Sequence, residues 1–359
     1  MKRNLLCAFC TMAMAFTLTG CGDDPTLDGP KPIEYTADYK VYLINEGAWG
    51  KNDASIVGYD PQTNTCGYPA RYALGDVANS ALVVDSMIYV IVTTSKTVVK
   101  TNGGIRNNVW ETANTPSTPR YLAEKDGHLY VSCYGGIIQK LNARTLVSEG
   151  ELVLDGGTNL EGVAIIGETL YVANSYSVDE SYNYTYLDEI LTVDLPTFKQ
   201  GETLHSVINP NYLAVIGNDL YVLGFGDYEK TPYQLAKVNV KTGESTPIAN
   251  ASKMCVWNGK ILYAYTETDW TTYVSTTTFG CYDPITGKTE TNPLDLTGWE
   301  QLSGATIHSI SANPYTNEVY VSTADYTNTS DVYRFSAEGK PQSKFDSMGV
   351  NANAFVFFK

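Results

Sequence analysis

The sequence predicts an all-β fold, a seven-bladed β-propeller closed by the C-terminal strand pairing into the first blade. Three observations predict it. An apolar-Tyr-apolar element returns seven times, its spacing suits four short strands plus turns, and the two ends of the array complement each other.

The element appears as Val41-Tyr42-Leu43, Ile88-Tyr89-Val90, Leu129-Tyr130-Val131, Leu170-Tyr171-Val172, Leu220-Tyr221-Val222, Leu262-Tyr263-Ala264 and Val319-Tyr320-Val321. Successive tyrosines lie 47, 41, 41, 50, 42 and 57 residues apart. Paired helices would share that period. They are excluded because β-branched and aromatic residues dominate and no apolar pattern sustains a 3.6-residue repeat. An irregular β-sandwich has no place for seven repeats with complementary ends.

Each repeat divides into strands A to D, counted from the propeller axis outward. Strand A is apolar, as in Asn79 to Val84, Arg120 to Ala123, Glu161 to Ile165, Tyr212 to Val215, Lys253 to Val256 and His308 to Ser311. A tight polar turn such as Lys125-Asp126-Gly127 or Asn258-Gly259 leads into the tyrosine strand B. Strand C ends in a second recurrent turn, as in Asp60-Pro61-Gln62-Thr63 and Asp283-Pro284-Ile285-Thr286-Gly287, where Asp caps, Pro presets φ and Gly supplies positive φ. The first tyrosine strand has no strand A before it, whereas Asn351 to Phe357 is a surplus one. Pairing the two removes an exposed sheet edge.

The N-terminus reads differently. Met1-Lys2-Arg3-Asn4 is basic, Leu5 to Leu18 is apolar without charge, and Leu18-Thr19-Gly20-Cys21 resembles a lipobox of bacterial lipoproteins. That resemblance makes residues 1–20 a lipoprotein signal peptide, Cys21 the lipidated first mature residue, 21–38 a flexible tether and 39–359 the propeller. The tether is Pro- and Gly-rich. Its Asp23 and Asp24 resemble the surface-export signal of Bacteroidetes lipoproteins, with a merely solvated tether as the alternative. The expected location is the outer membrane, lipid-anchored and facing the exterior.

Loss of residues 1–20 removes Lys2 and Arg3 and no acid, which moves the formal charge from -15 to about -17. So acidic a chain argues against nucleic acid and against docking on anionic lipid by charge, leaving the lipid anchor as the membrane contact. Beyond the anchor stand Cys66, Cys133, Cys255 and Cys281. Cys255 and Cys281 fall on the first and third strands of one blade, about 9.6 Å apart at twice the strand spacing. That exceeds disulfide reach, so free thiols are expected.

Consecutive strands run antiparallel, so the B-C loops and D-A connections share one face. The B-C loops are long and aromatic, and loops on a rigid scaffold are where binding residues gather. Candidate ligand contacts are Trp49, Tyr176, Tyr182, Tyr184, Tyr186, Tyr228, Tyr233, Trp270, Tyr273 and Tyr326, together with Arg120. Their rings suit a large, partly polar ligand such as a sugar chain or macrocycle, with packing of their own loops as the alternative. No catalytic residue, metal site or cofactor is expected. His128, His205 and His308 fall on different blades or faces, and no Gly-x-Ser-x-Gly, phosphate loop, zinc pair or EF-hand loop occurs after the signal. Loop acids such as Asp179, Glu180, Asp188 and Glu189 offer a cation or acid-base reading, against which stands ordinary solvation.

Ile44-Asn45-Glu46-Gly47, Asn52-Asp53-Ala54-Ser55, Tyr59-Asp60-Pro61, Leu74 to Ser80, Thr118-Pro119-Arg120-Tyr121, Asn313-Pro314, Asn317 to Val321 and Val332 to Ser336 resemble the YncE-like propellers of Bacteroidetes surface lipoproteins. Within these the chain is most similar to the BtuG-type cobalamin-binding lipoproteins. The resemblance implies a non-enzymatic surface protein that captures a corrinoid and hands it to a TonB-dependent outer-membrane transporter, on which it sits like a lid. A surface glycan-binding protein of a polysaccharide-uptake system is the second reading, and a propeller lyase or hydrolase the third.

Overall fold

A computed structural model describes residues 38–359 except 270, 273 and 325. The expected signal peptide and lipobox lie outside the described residues, as do Trp270 and Tyr273. The described residues form seven antiparallel sheets of four or five strands, each a blade. Their innermost strands are Ala352–Phe357, Ala78–Val84, Pro119–Lys125, Asn159–Ile166, Pro210–Ile216, Lys253–Trp257 and Ile307–Ala312, for blades 1 to 7. Blade 1 is completed as expected. Val41–Asn45 pairs with Ala54–Asp60 on one side and Ala352–Phe357 on the other, with Val41 opposite Phe357.

Hydrophobic burial is organised in seven seams rather than one mass, because each blade is only a sheet thick and must cover both faces against its neighbours. One seam joins Tyr42 and Ile44 of blade 1 to Ile88, Val90 and Val92 of blade 2. The next joins Tyr89 and Ile91 to Leu129, Val131 and Leu141 of blade 3. The series ends where Tyr320 and Val332 of blade 7 meet Leu43, Val57 and Phe355 of blade 1, which closes the ring. All seven strand-B tyrosines are buried. Two of them tie a blade to the next: Tyr42 Oη donates to Gly103 O at 3.1 Å, and Tyr89 Oη to Ala143 O at 2.6 Å. A buried hydroxyl needs such a partner, and the carbonyls ending the neighbour's third strand supply it.

The turns follow their residues. Asp126 and Gly127 both take positive φ, as do Asn258 and Gly259, matching the two-residue hairpin expected there. Asp60 Oδ1 accepts from Gln62 N at 2.9 Å, and Asp283 Oδ1 from Ile285 N at 2.8 Å, so the second recurrent turn is side-chain capped. The four cysteines among the described residues are free thiols, with Cys255 and Cys281 on first and third strands. Their pKa values are raised by burial, which makes them poor nucleophiles.

Candidate functional site

At the face carrying the B-C loops and D-A connections, the central channel opens into a cavity of about 370 Å³. Its walls are chiefly the starts of the innermost strands, where one recurring position is polar in every blade: Asn353, Asn79, Arg120, Glu161, Asn211, Lys253 and His308, from blades 1 to 7. All line the cavity except Glu161, which lies next to the lining residue Gly162.

An alternating strand would not place a polar side chain and its apolar neighbours together in this way, and the register explains how it is done. In six blades the pairing of strands A and B slips at this residue. Ala78 faces Val92 and Ser80 faces Ile91, leaving Asn79 unpaired. Equivalent slips fall at Arg120, Glu161, Asn211, His308 and Asn353. A bulge re-aims the side chain it carries, and here it turns one residue per blade to the axis. Blade 6 keeps its register, with Lys253 opposite Ala264. At Gly162 the bulged strand approaches blade 5 so closely that a Cβ would stand 2.8 Å from Asn211 O and 3.0 Å from Tyr212 Cα, both backbone. Only glycine fits that contact.

Around blades 7, 1, 2, 3 and 4 the ring is laced together. Ser309 Oγ donates to Ala352 O at 2.7 Å, Asn353 Nδ2 to Asn79 O at 2.5 Å, and Asn79 Nδ2 to Arg120 O at 2.6 Å. Arg120 Nε then donates to Glu161 Oε2 at 2.8 Å, and Tyr134 Oη to Glu161 Oε1 at 2.7 Å. The Glu161 side chain is only 2 % exposed, and both of its oxygens accept a hydrogen bond in this largely buried ion pair. Burial opposes the charge on Arg120, but Glu161 offsets it and the guanidinium pKa is raised.

The other sector is open. The side chains of Asn211 and Lys253 make no hydrogen bond or ion pair among the described residues. His308 Nε2 lies 3.0 Å from Glu46 Oε2, yet the contact is not aligned as a hydrogen bond, so the two groups interact as neighbours rather than as a bonded pair. Burial lowers the pKa of His308 and favours its neutral form, with Glu46 opposing. Burial likewise lowers that of Lys253, opposed by Glu46.

Beside the cavity runs an arc of seven aromatic rings. Tyr134 contacts Tyr176 at 6.2 Å between centroids, Tyr176 contacts Tyr184 and Tyr186 at 5.7 and 6.4 Å, and Tyr186 contacts Tyr228 at 5.6 Å. Tyr228 then meets Tyr233 at 5.7 Å, and Tyr233 stacks on Phe225 at 4.9 Å. Phe225 itself lines the cavity, so the arc leads from the rim into the channel. Tyr326 sits across from it, 6.2 Å from the His308 ring.

Of the sequence candidates, Tyr176, Tyr184, Tyr186, Tyr228 and Tyr233 are thus brought together, and Arg120 and Tyr326 stand at the same mouth. Trp49 stands apart, 83 % exposed, and Tyr182 projects from its loop tip, 82 % exposed. Tyr182, Tyr228 and Tyr326 have φ of 63, 59 and 64°, a left-handed conformation that costs a bulky residue about 1–2 kcal/mol. Three separate B-C loops therefore hold a tyrosine in this conformation, as turns elsewhere in the chain hold Leu146 and Phe198. Sequence reasoning missed Glu161, Tyr134, Asn79, Asn211, Lys253, His308 and Asn353 as site residues, and placed Phe225 only within an aromatic loop of this face.

Three of the four loop acids have partners close by, and Glu180 is exposed. Asp179 accepts from Ser181 N and Asn183 N at 2.8 and 2.9 Å, Glu189 from Asn174 Nδ2 at 2.7 Å, and Asp188 lies 2.9 Å from His205 Nδ1. No group of three metal-ligating side chains occurs among the described residues.

No protein-family model and no curated protein matches the sequence. Among solved structures the chain is similar to a candidate 6-phosphogluconolactonase from Bacteroides uniformis, at 13 % identity and a TM-score of 0.62, over 89 % of this chain and 99 % of that one. It is similar also to BamB from Moraxella catarrhalis, at 12 % identity and 0.51, over 88 % and 94 %. A third is the computationally designed protein Ika8, at 12 % and 0.54, over 90 % and 93 %. At such identities the likeness is one of fold. The class of the chain is a seven-bladed β-propeller.

Proposed function

We propose that this chain is a lipid-anchored surface protein that captures a corrinoid at the channel mouth and passes it to a TonB-dependent outer-membrane transporter. The anchor is Cys21, and the propeller itself carries out no reaction. The observation that supports this reading best is the arc of aromatic rings running into a cavity edged by Asn79, Asn211 and Asn353. A corrinoid has a broad apolar macrocycle with amides around its edge. Rings match the first, and the Asn211 amide, which makes no hydrogen bond among the described residues, matches the second, since an amide donates and accepts at once. The ligand is larger than the cavity, so the macrocycle lies over the rim with one edge dipping into the channel.

Purified protein titrated with cyanocobalamin should give saturable visible and calorimetric changes. Absence of both with cyanocobalamin and with dicyanocobinamide removes the corrinoid. A surface glycan is the second reading, favoured by the exposure of Tyr182 and Tyr184, whose faces suit the C–H faces of sugars. It predicts retardation in polysaccharide gels that Tyr184→Ala abolishes.

A further inference from the structure

The seven polar residues at this strand position are not equivalent: the side chains of Asn211 and Lys253 make no hydrogen bond or ion pair among the described residues, and the next in order, His308, touches only Glu46 and the Tyr326 ring. Asn211, Lys253 and His308 come from blades 5, 6 and 7, and all three line the cavity. Leaving an ammonium group in a concave site with no carboxylate at ion-pair distance is costly for folding. The other cation at the mouth, Arg120, is answered by a carboxylate at 2.8 Å. We propose that Asn211, Lys253 and His308 form an oxyanion subsite, which holds a phosphate or carboxylate group of the bound ligand while the rest of that ligand lies on the aromatic arc.

The chemistry fits. The amide of Asn211, the ammonium of Lys253 and the imidazole of His308 each offer an N–H donor. Phe225, Leu223 and Met254 line the same cavity, so an anion there is shielded from bulk water, and a charged hydrogen bond strengthens. The acidic surface does not forbid it. Charges beyond about 10 Å are largely screened at 0.1 M salt. Of the nearby carboxylates, Glu161 is engaged by Arg120 and Tyr134, and Glu46 is shared with His308. Burial holds the Lys253 pKa down, and a bound anion would push it back up, so binding should take up protons at alkaline pH.

The subsite rests on the reading that the mouth binds a ligand, but its test does not need that ligand to be a corrinoid. Inorganic phosphate is titrated calorimetrically into the full chain, into Lys253→Met, into Asn211→Ala, and into Lys125→Met, which removes a lysine on the opposite face. Lys253→Met should weaken phosphate about tenfold or more and Asn211→Ala several-fold, with Lys125→Met unchanged. Should Lys253→Met fail to fold, Asn211→Ala decides alone. Wild-type protein that takes up no phosphate, or variants that bind it as wild type does, would overturn the proposal. Two matched pairs then identify the source of the anion. Cyanocobalamin carries a phosphodiester that dicyanocobinamide lacks, and galacturonate a carboxylate that galactose lacks. The anionic member should bind about tenfold better in one pair, and Lys253→Met should erase that preference. If phosphate binds through Lys253 while no corrinoid titrates, the corrinoid reading fails and the subsite stands.

Discussion

The two halves of the channel mouth are built from the same strand positions and reach opposite ends. On blades 3 and 4, Arg120 and Tyr134 both donate to Glu161, whose two carboxylate oxygens are thereby engaged inside the protein. On blades 5, 6 and 7, Asn211, Lys253 and His308 face the cavity without aligned partners. The first half resembles a finished core and the second an unfinished one. Of these three only His308 Nε2 is buried, while Asn211 and Lys253 keep contact with the cavity solvent, so this half has donors free where the other half has spent them. The contrast also separates residues that hold the ring together from residues that are available to a ligand.

The largest expected effect breaks the closed half. Glu161→Ala strands the Arg120 guanidinium and should cost about 3–5 kcal/mol, read as a lowered urea midpoint. Lys253→Met on the open half should change stability by less than about 1 kcal/mol or raise it, since it removes an unpaired cation. Equal losses in the two variants would erase the distinction between the halves.

Next in size is the ligand surface that joins them. Tyr176 sits at the centre of the arc, touching Tyr134, Tyr184 and Tyr186. Tyr176→Ala should weaken ligand binding by about 2 kcal/mol, roughly thirtyfold, measured by calorimetry with cyanocobalamin. Trp49→Ala should leave it within about twofold, because Trp49 lies off the arc. A larger loss from Trp49 than from Tyr176 would move the site outward onto the blade 1 loop.

The smallest effect lies in pH. Burial lowers the His308 pKa below its ordinary 6.5, so the unfolded chain takes up that proton first. The contribution of His308 is therefore intact above pH 6.5 and is lost as pH falls from there through the folded-state value. His308→Gln should flatten this part of the thermal-stability profile, and an unchanged slope would show that Glu46 already keeps the imidazole charged.

Much of this was legible in the residues, and the illegible part has one cause. The strand-B tyrosines announce the blades because burial on both faces demands an apolar pattern around them, and the surplus Asn351 to Phe357 announces the closure. Loop tyrosines such as Tyr184 and Tyr228 stand out because B-C loops have little other reason to be aromatic. The polar ring does not announce itself. A period of two assigns alternate residues to opposite faces, and a bulge shifts that phase by one, so Asn79 or Glu161 at the head of an apolar strand reads as the end of a turn. Arg120 was singled out beside Tyr121, but nothing in the sequence places Glu161 against it. Tyr134 precedes Gly135 and Gly136 in a short loop and reads as a turn residue.

The closing strand also decides how the molecule takes mechanical load. Tyr39 and Phe358 pack their rings on Tyr42 at 5.7 Å each, so the chain enters blade 1 beside the latch. A pull on the N-terminal side runs along Val41–Asn45, which is bonded on both edges. Such force acts in shear on two hydrogen-bonded ladders together instead of unzipping one rung at a time. The strand that shuts the ring thereby makes the N-terminal edge of blade 1 resist a pull along its length.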